Sequence, residues 1–309
     1  MTISVKQVRY FVAAADYGQI SQAAVELNVS QSAVTAAIKQ LEASLGAALF
    51  NRTSNGVALT AHGTRFLQHA RNIIAAVNEA VSSPLSEDST QQGSIAVGVT
   101  YTVAGYFLPR HHARFRRTYP RIHVEMLEKR RDDIENDLAR GRLDLAVMLV
   151  SNLRDRTNIS HEILLRSRRR LWVPPEHPLL SASEVRLEDV AREPYIMLNV
   201  DEASQTAARY WDEARARPQV VFNTSSVEAV RSMVAAGMGV TVLSDMVYRP
   251  WSLEGQRIET RNVSHDIPTM DVGVAWSRNH PLSPAAKTFV DFLSRAFGSA
   301  IHDDPVGSS

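Results

Sequence analysis

Two periods of hydrophobicity divide this chain. From Val5 to about Leu49 apolar residues recur at helical spacing, whereas beyond Gly93 short apolar runs alternate with amphipathic ones. At 309 residues the chain is long enough for two or three separate cores. The change of period places a boundary between units of different class.

In the first region Val5, Val8 and Val12, with Phe11 beside them, predict an amphipathic helix ending near Gly18. A short helix follows from Ser21 to Leu27, burying Ala23, Ala24 and Leu27, and Asn28 suits a left-handed turn. Ser30 is placed to cap a third helix that runs to about Leu45, buries Val34, Ile38, Leu41 and Leu45, and stops at Gly46. Leu49–Arg52 and Val57–Thr60 then flank Asn55-Gly56, a hairpin signature. Thr60 can cap a long helix through about Val81. Along it Phe66, Ala70, Ile73, Val77 and Ala80 form a coiled-coil seam, which calls for a partner helix if nothing else lies beside it. Pro84 and the polar run 86–93 read as a linker.

In the second region a strand at Ile95–Val99, a helix holding Phe107, Leu108 and Phe115, a strand at His123–Leu127, a helix with Ile134 and Leu138 ending at Gly141, and a strand at Leu143–Leu149 make a βαβαβ run. Parallel pairing with right-handed crossovers is expected. A second set begins near Leu171, with strands near 195–198, 220–222 and 240–243 and helices near 204–216 and 226–236. Val272–Trp276 and a helix from Pro284 to Phe297 close the fold, and the tail 301–309 is expected to be disordered. The fold class is therefore α/β behind an N-terminal helical unit.

Composition excludes several chemistries. With no cysteine there is no disulfide, thiolate nucleophile or Cys-based zinc site. No signal-peptide core opens the chain, and nowhere do about 18 apolar residues run together, so neither export nor a membrane span is expected and the cytoplasm is the expected compartment. The net charge of +1 names no partner, but residues 110–170 hold 16 basic against 9 acidic side chains, and 30 of the 34 basic residues are Arg. Such contacts favour planar, bidentate recognition. No Gly-x-Ser-x-Gly, His-Glu-x-x-His or Walker-type segment occurs, and the ten His are scattered. No enzyme, cofactor or metal is expected.

Helix, short helix, turn, helix and hairpin is the order of a winged helix-turn-helix, although a plain helical bundle gives the same periodicity. Gln31, Ser32 and Thr35 tip the balance, because they stand on the N-terminal turns that enter a major groove. A Gln amide can pair with adenine, and Thr can touch a thymine methyl. Arg52, Thr53, Ser54 and Asn55 of the wing suit phosphate or minor-groove contact. Lys39 and Arg9 add charge, with 4 basic against 3 acidic residues over 1–60.

The run Gly18–Glu42 (GQISQAAVELNVSQSAVTAAIKQLE), then Leu45-Gly46, Leu49-Phe50, Arg52, Leu59-Thr60 and Gly63, closely resembles the helix-turn-helix of LysR-type transcriptional regulators. The resemblance continues through Gly141–Val147, Val173–Leu179, Val234–Val240 and Pro281–Ala286, and so spans essentially the whole chain. It implies a winged helix-turn-helix over 1–60, a dimerising linker helix and hinge over 61–92, and an effector-binding domain over 93–300. That domain would have one subdomain at about 93–165 and 266–300 and a second at about 166–265, resembling solute-binding proteins. By position, Ser30, Gln31, Ser32 and Thr35 face bases or nearby phosphates, and Arg52 and Thr60 hold the DNA backbone. The family commonly has Pro where Ser32 stands and a basic residue where Ala36 stands, so Lys39, Arg52 and the oligomer carry more of the affinity. The implied partners are double-stranded promoter DNA, a small-molecule effector, a homodimer or homotetramer, and RNA polymerase if the protein activates.

In such a fold, ligands sit between the subdomains at the carboxyl ends of strands. Thr100, Tyr101 and Thr102 follow the first strand, Arg131 aligns with a position facing the cleft, and Asn199, Asp201 and Ser204 line the opposite loop, with Ser226 beyond. Lys129 and Arg130 read as surface charge. An anionic effector is expected. Two arrangements stay open for Asp201 and Glu202: they pair with Arg131 and latch the cleft, which suits a plain carboxylate, or they hold the cationic end of a zwitterion. The alternative from another class is a small-molecule-binding protein whose N-terminal helices only oligomerise it.

Overall fold

The computed structural model describes residues 3–27, 29–53, 56–82 and 91–297. Asn28, Ser54, Asn55, the linker from residue 83 to residue 90 and the tail lie outside the described residues, as do the side chains of Thr53 and Ala80. Contacts divide the chain into two compact units, Met1–Glu87 and Asp88–Ser309.

The first unit comprises α1 (Val5–Tyr17), α2 (Ile20–Glu26), α3 (Gln31–Leu45), β1 (Phe50–Thr53), β2 (Gly56–Leu59) and α4 (Ala61–Ser82). Its boundaries have local causes. Ser4 and Gln7 close a capping box on α1, Ser30 Oγ accepts from Ala33 N at 3.2 Å on α3, and Gly18 and Gly46 end α1 and α3 at φ 66°. The hairpin docks onto the α1–α2 turn: Val57 N donates to Gly18 O at 2.8 Å, and any Cβ at Gly56 would collide with that same oxygen. Two small cores result, one around Tyr10, Ala14, Ala24, Val34 and Ile38, the other around Val8, Phe11, Leu41, Leu49 and Ala70.

The α4 seam differs from expectation. Phe66 meets the Phe11 ring at 5.1 Å and Ala70 is fully buried, so α1 of the same chain covers the first part of the stripe. Of the described seam residues, Ile73 is exposed and Val77 half-buried, so the face available to a partner helix starts later than the sequence pattern implies.

The second unit comprises β3 (Gly93–Val99), α5 (Tyr101–Tyr106), α6 (Leu108–Thr118), β4 (Ile122–Glu128), α7 (Arg131–Ala139), β5 (Leu145–Leu149), β6 (Ile159–Ser167), β7 (Arg169–Val173), α8 (Pro178–Ser181), α9 (Leu187–Val190), β8 (Pro194–Leu198), α10 (Ala203–Glu213), β9 (Gln219–Thr224), α11 (Val227–Ala235), β10 (Thr241–Ser244), β11 (Glu259–Arg261), β12 (Met270–Ser277) and α12 (Pro284–Phe297). The expected single helix around Phe107 is two, because Pro109 has no N–H to continue the ladder of α5.

The first sheet has the order β4-β3-β5-β12-β6, parallel across β4, β3 and β5 and antiparallel at β12 and β6. The second set is mixed, not the expected parallel repeat: β7 lies between β10 and β11 and is antiparallel to both, while β8 and β9 are parallel. Ile196 N to Val240 O (2.9 Å) and Val240 N to Pro194 O (2.8 Å) stitch β8 to the start of β10. That approach requires Gly239, whose Cβ would lie 2.6 Å from Pro194 O. The chain crosses from the first sheet to the second at Arg168 and returns between Arg261 and Met270, giving two subdomains joined by two crossing strands.

Candidate functional site

In the N-terminal unit, α3 buries Val34, Ile38 and Leu41 and turns its opposite face outward. Gln31, Ser32, Ala36 and Lys39 are exposed and Thr35 is half-buried, so Gln31, Thr35 and Lys39 fall on one line at four-residue steps. Ser30 Oγ and Ser32 Oγ lie 3.0 Å apart at the helix start. Thr35 Oγ1 donates to Gln31 O at 2.9 Å, leaving its oxygen as an acceptor and its methyl free for contact. Arg52 is exposed on β1. Thr60 is the exception: its hydroxyl donates to Ala48 O at 2.7 Å and accepts from Gly63 N at 2.9 Å, so it is committed to fastening α4 to the hairpin. Asn55 lies outside the described residues.

In the second unit the polar residues at the carboxyl ends of the strands engage one another across the cleft. Thr102 N, in the first turn of α5, donates to Asp201 Oδ2 at 2.7 Å. Asn152 Nδ2 donates to Asp201 O at 2.9 Å and approaches Glu202 Oε2 at 3.4 Å. Arg131, only 6% exposed, donates to Asp132 Oδ1 at 2.6 Å and to Asn152 O at 3.1 Å, and lies 3.7 Å from both Glu135 and Glu202. Asp201 and Glu202 stand at φ 48° and 59°, a strained pair of left-handed residues that turns both carboxylates toward the first subdomain. Burial raises the Glu202 pKa, an effect that Arg131 opposes. Farther along, Tyr106 OH donates to Glu228 Oε1 at 2.8 Å, and Arg231, 2% exposed, pairs with Glu228 and donates to Val247 O at 2.6 Å. Burial and Glu228 push the Tyr106 phenol up to about 12.

The expected cleft residues are therefore brought together unevenly. Thr102 meets Asp201 directly and Arg131 joins them through Asn152, whereas Thr100 Oγ1 is buried without a hydrogen-bond partner. Tyr101 is half-buried at the start of α5. Ser226 caps α11 by accepting from Ala229 N, Asn199 is exposed with its backbone N–H donating to Thr224 O, and Ser204 Oγ bonds Gln205. Arg131 was expected to offer its guanidinium to a ligand. Four protein groups already surround it; of the two acids weighed as its latch partners Glu202 lies beside it, while Asp201 binds the Thr102 amide instead. Lys129 pairs with Asp137 at 2.7 Å. Asn152, Tyr106, Glu228 and Arg231 were missed; an Asn after a strand and a Tyr within a helix carry no local signal of a cross-cleft role.

Among the described residues no helix is long and apolar enough to cross a membrane, and no group of three His, Asp or Glu is placed to hold a metal.

Comparisons with known proteins agree with this layout. Residues 5–64 match the family model described as the bacterial regulatory helix-turn-helix protein of the lysR family, and residues 88–298 match the LysR substrate-binding domain. The regulator CfxR of Cupriavidus necator is 30% identical, covering 96% of this chain and 95% of its own. YybE of Bacillus subtilis, an uncharacterised HTH-type regulator, is 26% identical over 94% of this chain and 98% of its own. Among solved structures, the LysR-family regulator HinK of Pseudomonas aeruginosa superposes with a TM-score of 0.63 at 26% identity, covering 96% of this chain and 99% of that one. The chain belongs to the LysR family and is a transcriptional regulator with a helix-turn-helix and an effector-binding domain, not an enzyme.

Proposed function

We propose that the N-terminal unit reads duplex DNA sequence through Gln31 and Thr35 of α3, with Ser30, Ser32, Lys39 and the wing residues Arg52, Thr53 and Asn55 on the phosphates. The protein acts in the cytoplasm as a homodimer or homotetramer whose geometry responds to a small organic anion bound between the two subdomains of the C-terminal unit. The observation that carries the effector half is the Asp201 carboxylate on the Thr102 amide. A carboxylate is already the preferred occupant at that amide, and an external one competes with it on equal chemical terms. The Arg131–Glu202 pair favours the plain-carboxylate arrangement over a zwitterion, because it engages an acid that the second arrangement needs free.

Fluorescence anisotropy tests the DNA half, with a fragment selected by the protein from random sequence and an unselected duplex as control. Gln31→Ala should weaken the selected fragment by about 1–3 kcal/mol and the control hardly at all. Arg52→Ala should weaken both alike and lower the salt slope by about 1. Equal losses on both duplexes for Gln31→Ala contradict sequence reading by α3.

A further inference from the structure

The outward face of α3 is polar at both ends and methyl-bearing in the middle. Gln31 and Ser32 stand exposed at one end and Lys39 at the other, with Thr35 and Ala36 between them. Ala36 is exposed and ends at its methyl. Thr35 has a single hydroxyl proton, and that proton is committed inside the helix, donated to Gln31 O at 2.9 Å. The bond also orients the side chain. Its oxygen is turned back toward the Gln31 carbonyl, so the methyl is the group of Thr35 that faces away from the backbone. Val34 and Ile38, on the opposite side of the helix, are buried in the core of the unit, which fixes the rotation of α3 and keeps this middle stretch outward.

A surface of this kind is selective in a major groove. Guanine presents two acceptors there, which a donor reads, and Thr35 has no proton left to give. Pyrimidines differ at C5, where thymine carries a methyl and cytosine and uracil do not, and a methyl is read by apolar contact. Resting on the reading of α3 given above, we infer that Thr35, with Ala36 beside it, reads the C5-methyl group of a pyrimidine. Thymine is its ordinary occupant. 5-Methylcytosine carries the same methyl in the same place, and its N4 amino group is a donor that the Thr35 oxygen can accept. Methylation of a cytosine at this position therefore strengthens binding. Thr35 lies one turn beyond Gln31, about 6 Å along the helix axis. The methyl it reads is thus about two base steps from the base that Gln31 contacts.

Anisotropy with the full-length protein on the selected fragment tests this. Each thymine is replaced in turn by deoxyuridine, which lacks only the methyl. At least one position should lose about fourfold in affinity, the effect of one buried methyl. At that position the pair is then exchanged for cytosine–guanine with and without the C5 methyl, and the methylated duplex should bind about fourfold more tightly. Thr35→Ser keeps the hydroxyl and discards the methyl, so it should lose most of both methyl effects. Thr35→Val keeps the methyl and discards the hydroxyl, so it should retain them. The exchanges on the DNA need no variant, and thermal melting by circular dichroism shows that each variant is folded. The inference is overturned if no exchange of thymine for uracil costs affinity, or if methylcytosine binds no better than cytosine. It is also overturned if Thr35→Val loses the methyl effects while Thr35→Ser keeps them, the result for reading by the hydroxyl. Failure of the underlying reading looks different: the parent then binds selected and unselected duplexes alike, and the inference falls with it. Failure of the methyl inference alone leaves that preference intact.

Discussion

The outer face of α3 and the inner face of the cleft are both polar, yet they treat their polar groups in opposite ways. Gln31, Ser32 and Lys39 stand in solvent and make few bonds within the protein. Thr102, Arg131, Asn152, Asp201 and Glu202 spend their bonding capacity on one another. The physical reason is solvation. A surface that meets DNA stays hydrated until contact, so its groups need no internal partner. A closed cleft excludes water, and each group left unmatched there carries a desolvation cost. Substitutions that strand a cleft group without its partner should therefore cost folding stability, whereas those at the exposed, non-capping positions of α3 should cost DNA binding alone.

The largest expected effect is Arg131→Ala. It leaves Glu135 and Glu202 facing each other without their shared cation, and breaking such buried pairing costs about 3 kcal/mol. Urea unfolding of the C-terminal unit should show a lowered midpoint. An unchanged midpoint would mean that the cleft network is solvated like the α3 face.

Ser30→Ala sharpens the comparison from the other side, because Ser30 is the residue of the DNA-facing set whose side chain caps the helix. Losing that cap should lower the stability of the N-terminal unit by about 1 kcal/mol, visible as a lower melting temperature. Gln31→Ala should leave the melting temperature unmoved.

The smallest effect is expected at Glu202. Its raised pKa means that the folded cleft prefers the neutral acid, chiefly through burial. The sign follows from linkage: the cost of ionising Glu202 is fully present above its folded pKa and vanishes as pH falls to the unfolded carboxylate range. Glu202→Gln should thus be as stable as the parent or slightly more so at neutral pH, and the difference should close in acid. A clear loss at neutral pH would show that the pairing with Arg131 outweighs burial.

The same solvation argument explains what could be read from sequence. The caps at Ser30 and Gly46 and the outward line of α3 are local, set by residues a turn or two apart, and were legible. The α4 stripe was legible as apolar, but its partner is Phe11 of α1, a tertiary choice that periodicity cannot make. Strand β11 is three residues long, and β6 lacks regular alternation, so neither announced itself. Arg131 was marked for the cleft and its pairing with Glu202 was one of two arrangements left open, whereas Asn152, which lies just beyond β5 and offers its carbonyl to Arg131, carried no signal.

Distance measurement across the cleft tests the latch most directly. The chain has no cysteine of its own, so Asp133→Cys on α7 and Asp212→Cys on α10, both exposed, accept spin labels cleanly. Labelled protein diluted with unlabelled protein gives one labelled pair per oligomer for pulsed electron-spin measurement. The account predicts one narrow distance distribution for the parent and a longer or broader one for the same pair carrying Arg131→Ala. An unchanged distribution in that variant would contradict a cleft held shut by its own charges.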